Sequence, residues 1–254
     1  MGSLSKKLKS GAAVLGTFIS LGHPSIVELA GASGFDFVVV DMEHSCMGTE
    51  TVENLVRAAG CVNLDVIVRI PHVTEGLIGR LLDAGASGVQ VPQVTTRKYA
   101  EQAVQAAKYP PVGSRGYMPV NRAFWSRNLS KDAQIARANE ESIVVAQVEG
   151  KEGLSRVDQI LETPDLDVVF LGPYDLSMSL GVPGQVNHPD VLQAMETVVG
   201  KAQRASIAVG VFADDAAAAR RWMAQGVSYI TVGLDATYLA SAYRRCTADM
   251  KGVS

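Results

Sequence analysis

Four sets of polar side chains stand where apolar runs of this chain end. Glu43-His44 follows Phe35–Met42, Arg69 lies in Asp65–Pro71, Glu149 follows Ile143–Val148, and Asp175 follows Val168–Tyr174. A charged group at the exit of an apolar strand is costly unless it is paired or used. Glu149 and Asp175, on neighbouring strands about 5 Å apart, suit a hard divalent cation such as Mg2+ or Mn2+ and leave most of its shell to water and substrate. An arginine and a histidine beside them suit an oxyanion and a proton transfer. Gln147, two residues before Glu149, points the same way from an extended strand. The four histidines supply no set of three for a catalytic zinc, and no lysine lies inside a strand, where a Schiff-base mechanism needs one.

Taken singly, each residue has a plainer use. An acid at a strand end is commonly a helix cap or an ion-pair partner. Arg69 could merely neutralise Glu43, and His44 could be a hydrogen-bonded structural residue. The conjunction on one rim carries the inference. Within it, charge and proximity make Glu43 the expected orienter of Arg69. Gly172-Pro173-Tyr174-Asp175-Leu176-Ser177 adds a tight turn at the start of a helix, where the N–H groups of Tyr174 and Asp175 could face a carboxylate.

These groups need elements to position them. Eight runs read as strands: Ala13–Ser20, Phe35–Met42, Asp65–Pro71, Gly88–Val94, Ile143–Val148, Val168–Tyr174, Ile207–Ala213 and Tyr229–Gly233. They are Val/Ile/Phe-rich without polar alternation, as strands covered on both faces are. Helical patterns separate them at Pro24–Ala32, Glu50–Ala59, Glu75–Ala84, Thr96–Lys108, Gly153–Glu162, Pro189–Ala205, Asp214–Ala224 and Thr237–Cys246. Thr74 and Asp214 read as helix N-caps. Three helix ends, at Ala30–Asp36, Asp83–Gly88 and Ala224–Ser228, share a glycine that reverses the chain into a strand. Eight βα units in 254 residues predict a closed (β/α)8 barrel over 1–254 as a single domain. A doubly wound sheet is disfavoured, because no Gly-x-Gly-x-x-Gly opens the first helix. The irregular segment 109–130, with Arg115, Arg122, Phe124, Trp125 and Arg127, reads as a lid or a subunit contact.

Composition narrows the class. Hydrophobic residues make up 47% and net charge is −3 with no basic run, so nucleic acid is not an expected partner. Apolar runs are strand-sized, so no membrane span is expected. Cys46, Cys61 and Cys246 form no close pair and read as reduced thiols of a cytoplasmic enzyme.

Asp41-Met42-Glu43-His44, Val68-Arg69-Ile70-Pro71, Leu82-Asp83-Ala84-Gly85-Ala86, Tyr109-Pro110-Pro111-x-Gly113-x-Arg115-Gly116, Gln147-Val148-Glu149 and Gly172-Pro173-x-Asp175-Leu176-Ser177 resemble the HpcH/HpaI family in content and order. The resemblance spans about Gly16 to Tyr243. It implies a class II, metal-dependent pyruvate aldolase acting on a 4-hydroxy-2-keto or 2-keto-3-deoxy acid. It further implies that Glu149 and Asp175 bind a divalent metal (Mg2+, Mn2+ or Co2+), that Arg69 stabilises the pyruvate enolate, and that His44 is the base, tuned by Asp83. Gln147, Gly172 and the backbone of Tyr174 and Asp175 would hold pyruvate, with Asp41 and Glu43 supporting. Tyr174 stands where the family often has a small residue.

Asp83 ends a helix that runs back down the barrel, so contact with His44 fits best from another subunit. A helix-end residue bonding local backbone is an equal alternative. The resemblance implies homohexamers, trimers of dimers, with the last helix exchanged. Arg122 or Arg115 could hold a distal carboxylate of the aldehyde half. Oxaloacetate decarboxylation, lysis of a CoA ester and a macrophomate synthase-like condensation would use the same groups. A small-acid binder without turnover would leave His44 and Arg69 idle.

Overall fold

The computed structural model describes residues 3–125 and 128–252. Eight parallel strands close into a barrel in sequence order: β1 (Val14–Ile19), β2 (Phe37–Asp41), β3 (Asp65–Arg69), β4 (Gly88–Val91), β5 (Ile143–Val148), β6 (Val168–Leu171), β7 (Ala208–Ala213) and β8 (Tyr229–Leu234). Among the described residues, twelve helices accompany them: α1 (Ser3–Lys9), α2 (Pro24–Ala32), α3 (Thr49–Cys61), α4 (Glu75–Asp83), α5 (Arg97–Ala107), α6 (Lys131–Glu141), α7 (Lys151–Ser155), α8 (Val157–Leu161), α9 (Pro173–Leu180), α10 (Pro189–Arg204), α11 (Ala216–Ala224) and α12 (Asp235–Lys251). The expected closed barrel is borne out. Among the described residues, no helix is long and apolar enough to cross a membrane.

Two apolar regions follow from the pleat, which sends alternate side chains to opposite faces. One fills the lumen with Val14, Phe37, Val39, Ile67, Val145, Phe170 and Tyr229. The other lies between strands and helices and includes Val38, Val40, Val68, Val89 and Val169. The lower end of the lumen is closed by α1, which the sequence reading left unassigned; Leu4 and Leu8 join the lumen cluster. Acids at the lower rim satisfy backbone donors of the strands and of α1. Asp36 Oδ2 accepts the Leu15 N–H at 2.8 Å, Asp65 Oδ2 accepts Leu4 N–H at 3.1 Å, and Asp167 Oδ2 accepts Val144 N–H at 2.9 Å.

Several boundaries differ from expectation. β6 stops at Leu171, short of the expected Tyr174, and the chain passes through Gly172 straight into a helix: Gly172 is the N-cap of α9 and Pro173 its first residue. Proline's fixed φ suits that first position. One helix expected at Gly153–Glu162 is two, divided at Arg156. Helix α6 is an addition. Thr74 makes no side-chain cap bond, and Asp215, rather than Asp214, caps α11 through the Ala218 N–H. The glycine reversals hold, with φ of 93°, 101° and 85° at Gly34, Gly85 and Gly226.

Candidate active site

At the upper rim, register fixes which polar groups meet. Asp41 of β2 lies across from Arg69 of β3, and Arg69 across from Gln90 of β4. Asp41 takes the guanidinium in a fork, Nε to Oδ1 at 3.0 Å and Nη2 to Oδ2 at 2.7 Å. Its Oδ1 also accepts the backbone N–H groups of Glu43 (3.0 Å) and His44 (3.2 Å). The chain leaving β2 is thereby folded over the carboxylate that orients Arg69. Burial acts to raise the Asp41 carboxyl, but the hydrogen bond and charge of Arg69 and these two N–H groups hold it below its ordinary range. The expectation that Glu43 orients Arg69 is therefore corrected. Glu43 pairs with the remaining nitrogen, Nη1, at 3.3 Å, and its buried Oε2 completes no hydrogen bond. Arg69 also lies 4.9 Å over the Phe18 ring.

On the opposite side of the mouth, Glu149 follows β5. Its Oε2 accepts from Gln147 Nε2, and its Oε1 accepts the Gln93 N–H at 2.7 Å. Gln93 holds φ of 53°, unusual for a residue with a side chain, and that bend aims its N–H at the carboxylate. Behind Gln147 stands Gln90, whose Nε2 donates to Gln147 Oε1 at 2.5 Å. Gly172 sits against the same group; a Cβ there would lie 2.9 Å from Glu149 Oε2. Sequence reasoning gave no role to Gln90 or Gln93. A glutamine inside the apolar run Gly88–Val94 was a visible signal for the first. A left-handed backbone position had none for the second.

Glu43, His44, Gln93, Glu149 and Asp175 line one cleft of about 380 Å3. Burial pushes the Glu149 carboxyl up to about 7; the charges of Asp175 and Glu43 add to it, against the hydrogen bonds from Gln147 and Gln93. Glu43 is raised as well, by burial first and then by Asp41 and Asp175, with Arg69 and His44 opposing. Mutually raised carboxylates around one cleft are the electrostatic mark of a place for positive charge. Among the described residues, no three His, Cys, Asp or Glu side chains form a ready ligand cluster; Glu149 and Asp175 both line the cleft. His44 is exposed in the cleft, its Nε2 3.8 Å from Glu43 Oε2. Tyr174 belongs to the first turn of α9 rather than to a strand. Its hydroxyl donates to Asp214 Oδ1 at 2.7 Å, which raises its pKa to about 12, so its ring is held against the β7 exit.

Three expected residues lie elsewhere in the chain. Asp83 ends α4 at the lower face. Its Oδ1 accepts from Arg115 Nη2 at 2.6 Å and Asn121 Nδ2 at 2.8 Å, and its carbonyl accepts the Ala123 N–H at 3.2 Å. Arg122 and Arg115 border a separate cavity of about 300 Å3 there, with Phe124 and Trp125. The described residues of segment 109–130 thus form no lid over their own barrel's mouth, and neither Arg115 nor Arg122 reaches the aldehyde side of its own site. Arg127 lies outside the described residues.

The family description "HpcH/HpaI aldolase/citrate lyase" matches residues 15–242. A 2-keto-3-deoxy-L-rhamnonate aldolase of Salmonella gallinarum is 33% identical over 248 residues, covering 97% of this chain and 92% of that one. The HpcH/HpaI aldolase from Desulfitobacterium hafniense DCB-2 superposes with a TM-score of 0.95 at 32% identity, covering 99% of this chain and 97% of that one. The citrate synthase SbnG superposes at 0.88 and 32% identity, covering 99% of each. The chain belongs to the HpcH/HpaI aldolase/citrate lyase family and is a lyase built on its barrel.

Proposed function

We propose that the enzyme reversibly cleaves a 4-hydroxy-2-keto acid to pyruvate and an aldehyde. The observation that carries this reading is the convergence of Glu43, His44, Glu149 and Asp175 on one cleft, with Arg69 paired to Glu43 at its edge. The 2-keto-3-deoxy acid named for the Salmonella relative belongs to the same substrate class.

A hard divalent cation fits Glu149 and Asp175: the donors are carboxylates, and Glu149 is raised by burial first and then by the charge of Asp175. Bound there, such an ion supplies positive charge that stabilises an adjacent enolate oxygen. The chain's own residues do the rest. His44 takes the proton of the C4 hydroxyl. The C3–C4 bond breaks, C4 becomes the aldehyde carbon, and the bonding pair passes to the pyruvate enolate. Arg69, held by Asp41, donates to the enolate oxygen, a contact worth roughly 3–4 kcal/mol in the transition state. His44 then returns its proton to C3. The first-turn N–H groups of α9, which carry no side-chain cap, receive the substrate carboxylate.

His44 lacks a carboxylate partner other than Glu43, whereas Asp83 sits at the lower face with Oδ1 doubly occupied. We place Asp83 beside His44 of a neighbouring subunit. Helix α12 supports assembly, since Asp235 is its one buried residue and Tyr243 and Met250 are 67% and 84% exposed. Leu29 of α2, 62% exposed, is likewise uncovered. A homohexamer with exchanged α12 covers such surfaces.

The test is a panel of 4-hydroxy-2-keto acids with pyruvate release coupled to lactate dehydrogenase and NADH. Release from at least one member is expected, as is condensation of pyruvate with the matching aldehyde when the coupling enzyme is left out. Release from oxaloacetate alone would instead identify a decarboxylase, and the likeness to SbnG makes carbon–carbon condensation the second direction to assay.

A further inference from the structure

Gln90 is wholly buried in the lumen, level with Arg69 on one side and Val145 on the other. Its Nε2 donates to Gln147 Oε1, and Gln147 Nε2 donates in turn to Glu149 Oε2. The direction of this chain is set from its upper end. Ionised, as at pH 8, Glu149 only accepts, so Gln147 must turn its NH2 group to it and its carbonyl down the lumen. That carbonyl then requires a donor, which Gln90 provides.

Gln90 is a poor choice for stability alone. Its own Oε1 is buried with no partner. A buried acceptor left unmet costs free energy, and a leucine or methionine of similar size would avoid it. The side chain gains one bond, the one to Gln147.

We infer that Gln90 is a positioning residue for the cation-binding carboxylate: by holding the Gln147 carbonyl, it locks that amide against a half-turn that would aim an oxygen at Glu149. The inference rests on the reading of Glu149 as a cation ligand. With the lock, Oε2 of Glu149 is fixed by Gln147 and Oε1 by the Gln93 N–H, so the carboxylate plane is set before a cation arrives. Without it, two acceptors face each other at Glu149, and the ion must reorder them on binding.

The experiment is a Mn2+ titration of the intact protein at pH 8, by calorimetry or electron paramagnetic resonance. Gln90→Leu and Gln90→Met remove the donor. Gln90→Glu goes further, because a carboxylate at position 90 attracts the Gln147 NH2 group downward and favours the half-turn. Glu149→Gln is the reference. The expected result is a roughly tenfold rise in Mn2+ Kd for the neutral variants, about one hydrogen bond to a charged group, and a larger rise for Gln90→Glu. A merely structural role would lower Tm and leave the Kd unchanged. A Kd within about twofold of wild type in both neutral variants, with Glu149→Gln impaired, overturns the role of Gln90 alone. An unimpaired Glu149→Gln overturns the cation reading and this inference with it.

Discussion

Asp41 receives Arg69 through two parallel hydrogen bonds, Nε to Oδ1 at 3.0 Å and Nη2 to Oδ2 at 2.7 Å, from the facing position of the adjacent strand. Both side chains are close to fully buried, at 5% and 11% exposure. Removing one partner of such a pair strands a charge. Asp41→Ala is therefore expected to destabilise by about 3–5 kcal/mol in urea unfolding. Arg69→Lys keeps the charge and loses the fork, so stability changes less while kcat/KM falls roughly 100-fold or more. Equal loss of stability in the two variants would contradict this division.

In the proposed mechanism His44 takes the C4 hydroxyl proton and returns it to C3, without holding the cation. His44→Ala is expected to lower kcat by about 10²–10⁴ and to leave Mn2+ affinity unchanged. If Asp83 serves the His44 of a neighbour, inactive His44→Ala and Asp83→Ala proteins, unfolded and reassembled together, recover part of the activity. Sites pairing an intact His44 with an intact Asp83 then arise at the contacts. Partners within one chain would give no recovery.

As a cation ligand, Glu149 would couple binding to pH. Burial holds its carboxyl up to about 7, above its ordinary value, so near pH 6 the folded apoprotein keeps a proton that the unfolded chain has released. The apoprotein accordingly loses stability as pH rises toward and through 7. A cation displaces the proton, so about one proton is released per ion bound near pH 6 and fewer at pH 8. Calorimetry in buffers of different ionisation enthalpy reads this number directly. EDTA should abolish turnover, and Mn2+, Co2+ or Mg2+ should restore it.

Gly172 gives a steric test of the same carboxylate. A Cβ there would stand 2.9 Å from Glu149 Oε2 and 3.4 Å from Gln147 Nε2. Gly172→Ala is expected to weaken Mn2+ binding about tenfold or more while shifting Tm by only a few degrees, since the position is a helix N-cap with a non-helical φ of −92°. Unchanged Mn2+ affinity would show that the carboxylate has room to spare.

The barrel and the strand-exit residues were legible because polarity changes abruptly there: Glu43, Arg69, Glu149 and Asp175 interrupt or end runs of Val, Ile and Phe. What was not legible depended on register. Asp41 and Glu43 are two acids of equal charge in one motif, and only pairing across β2 and β3 gives Asp41 the fork. Helix α6 escaped notice because Gln134 is its one buried residue and no apolar stripe marks it. Helix α1 offers two leucines four apart and little else. Arg122 was expected at the aldehyde half of the substrate, although the topology argued against it: segment 109–130 joins a helix to the next strand, and such connections lie at the face opposite the mouth.

The most direct measurement is Mn2+ anomalous diffraction from crystals soaked with the ion and pyruvate. The account predicts one peak in the cleft, about 2.1 Å from an oxygen of Glu149 and from an oxygen of Asp175, with Arg69 turned to the ligand. A peak bound by one of these carboxylates without the other, or a cation held elsewhere while the enzyme turns over, would contradict it.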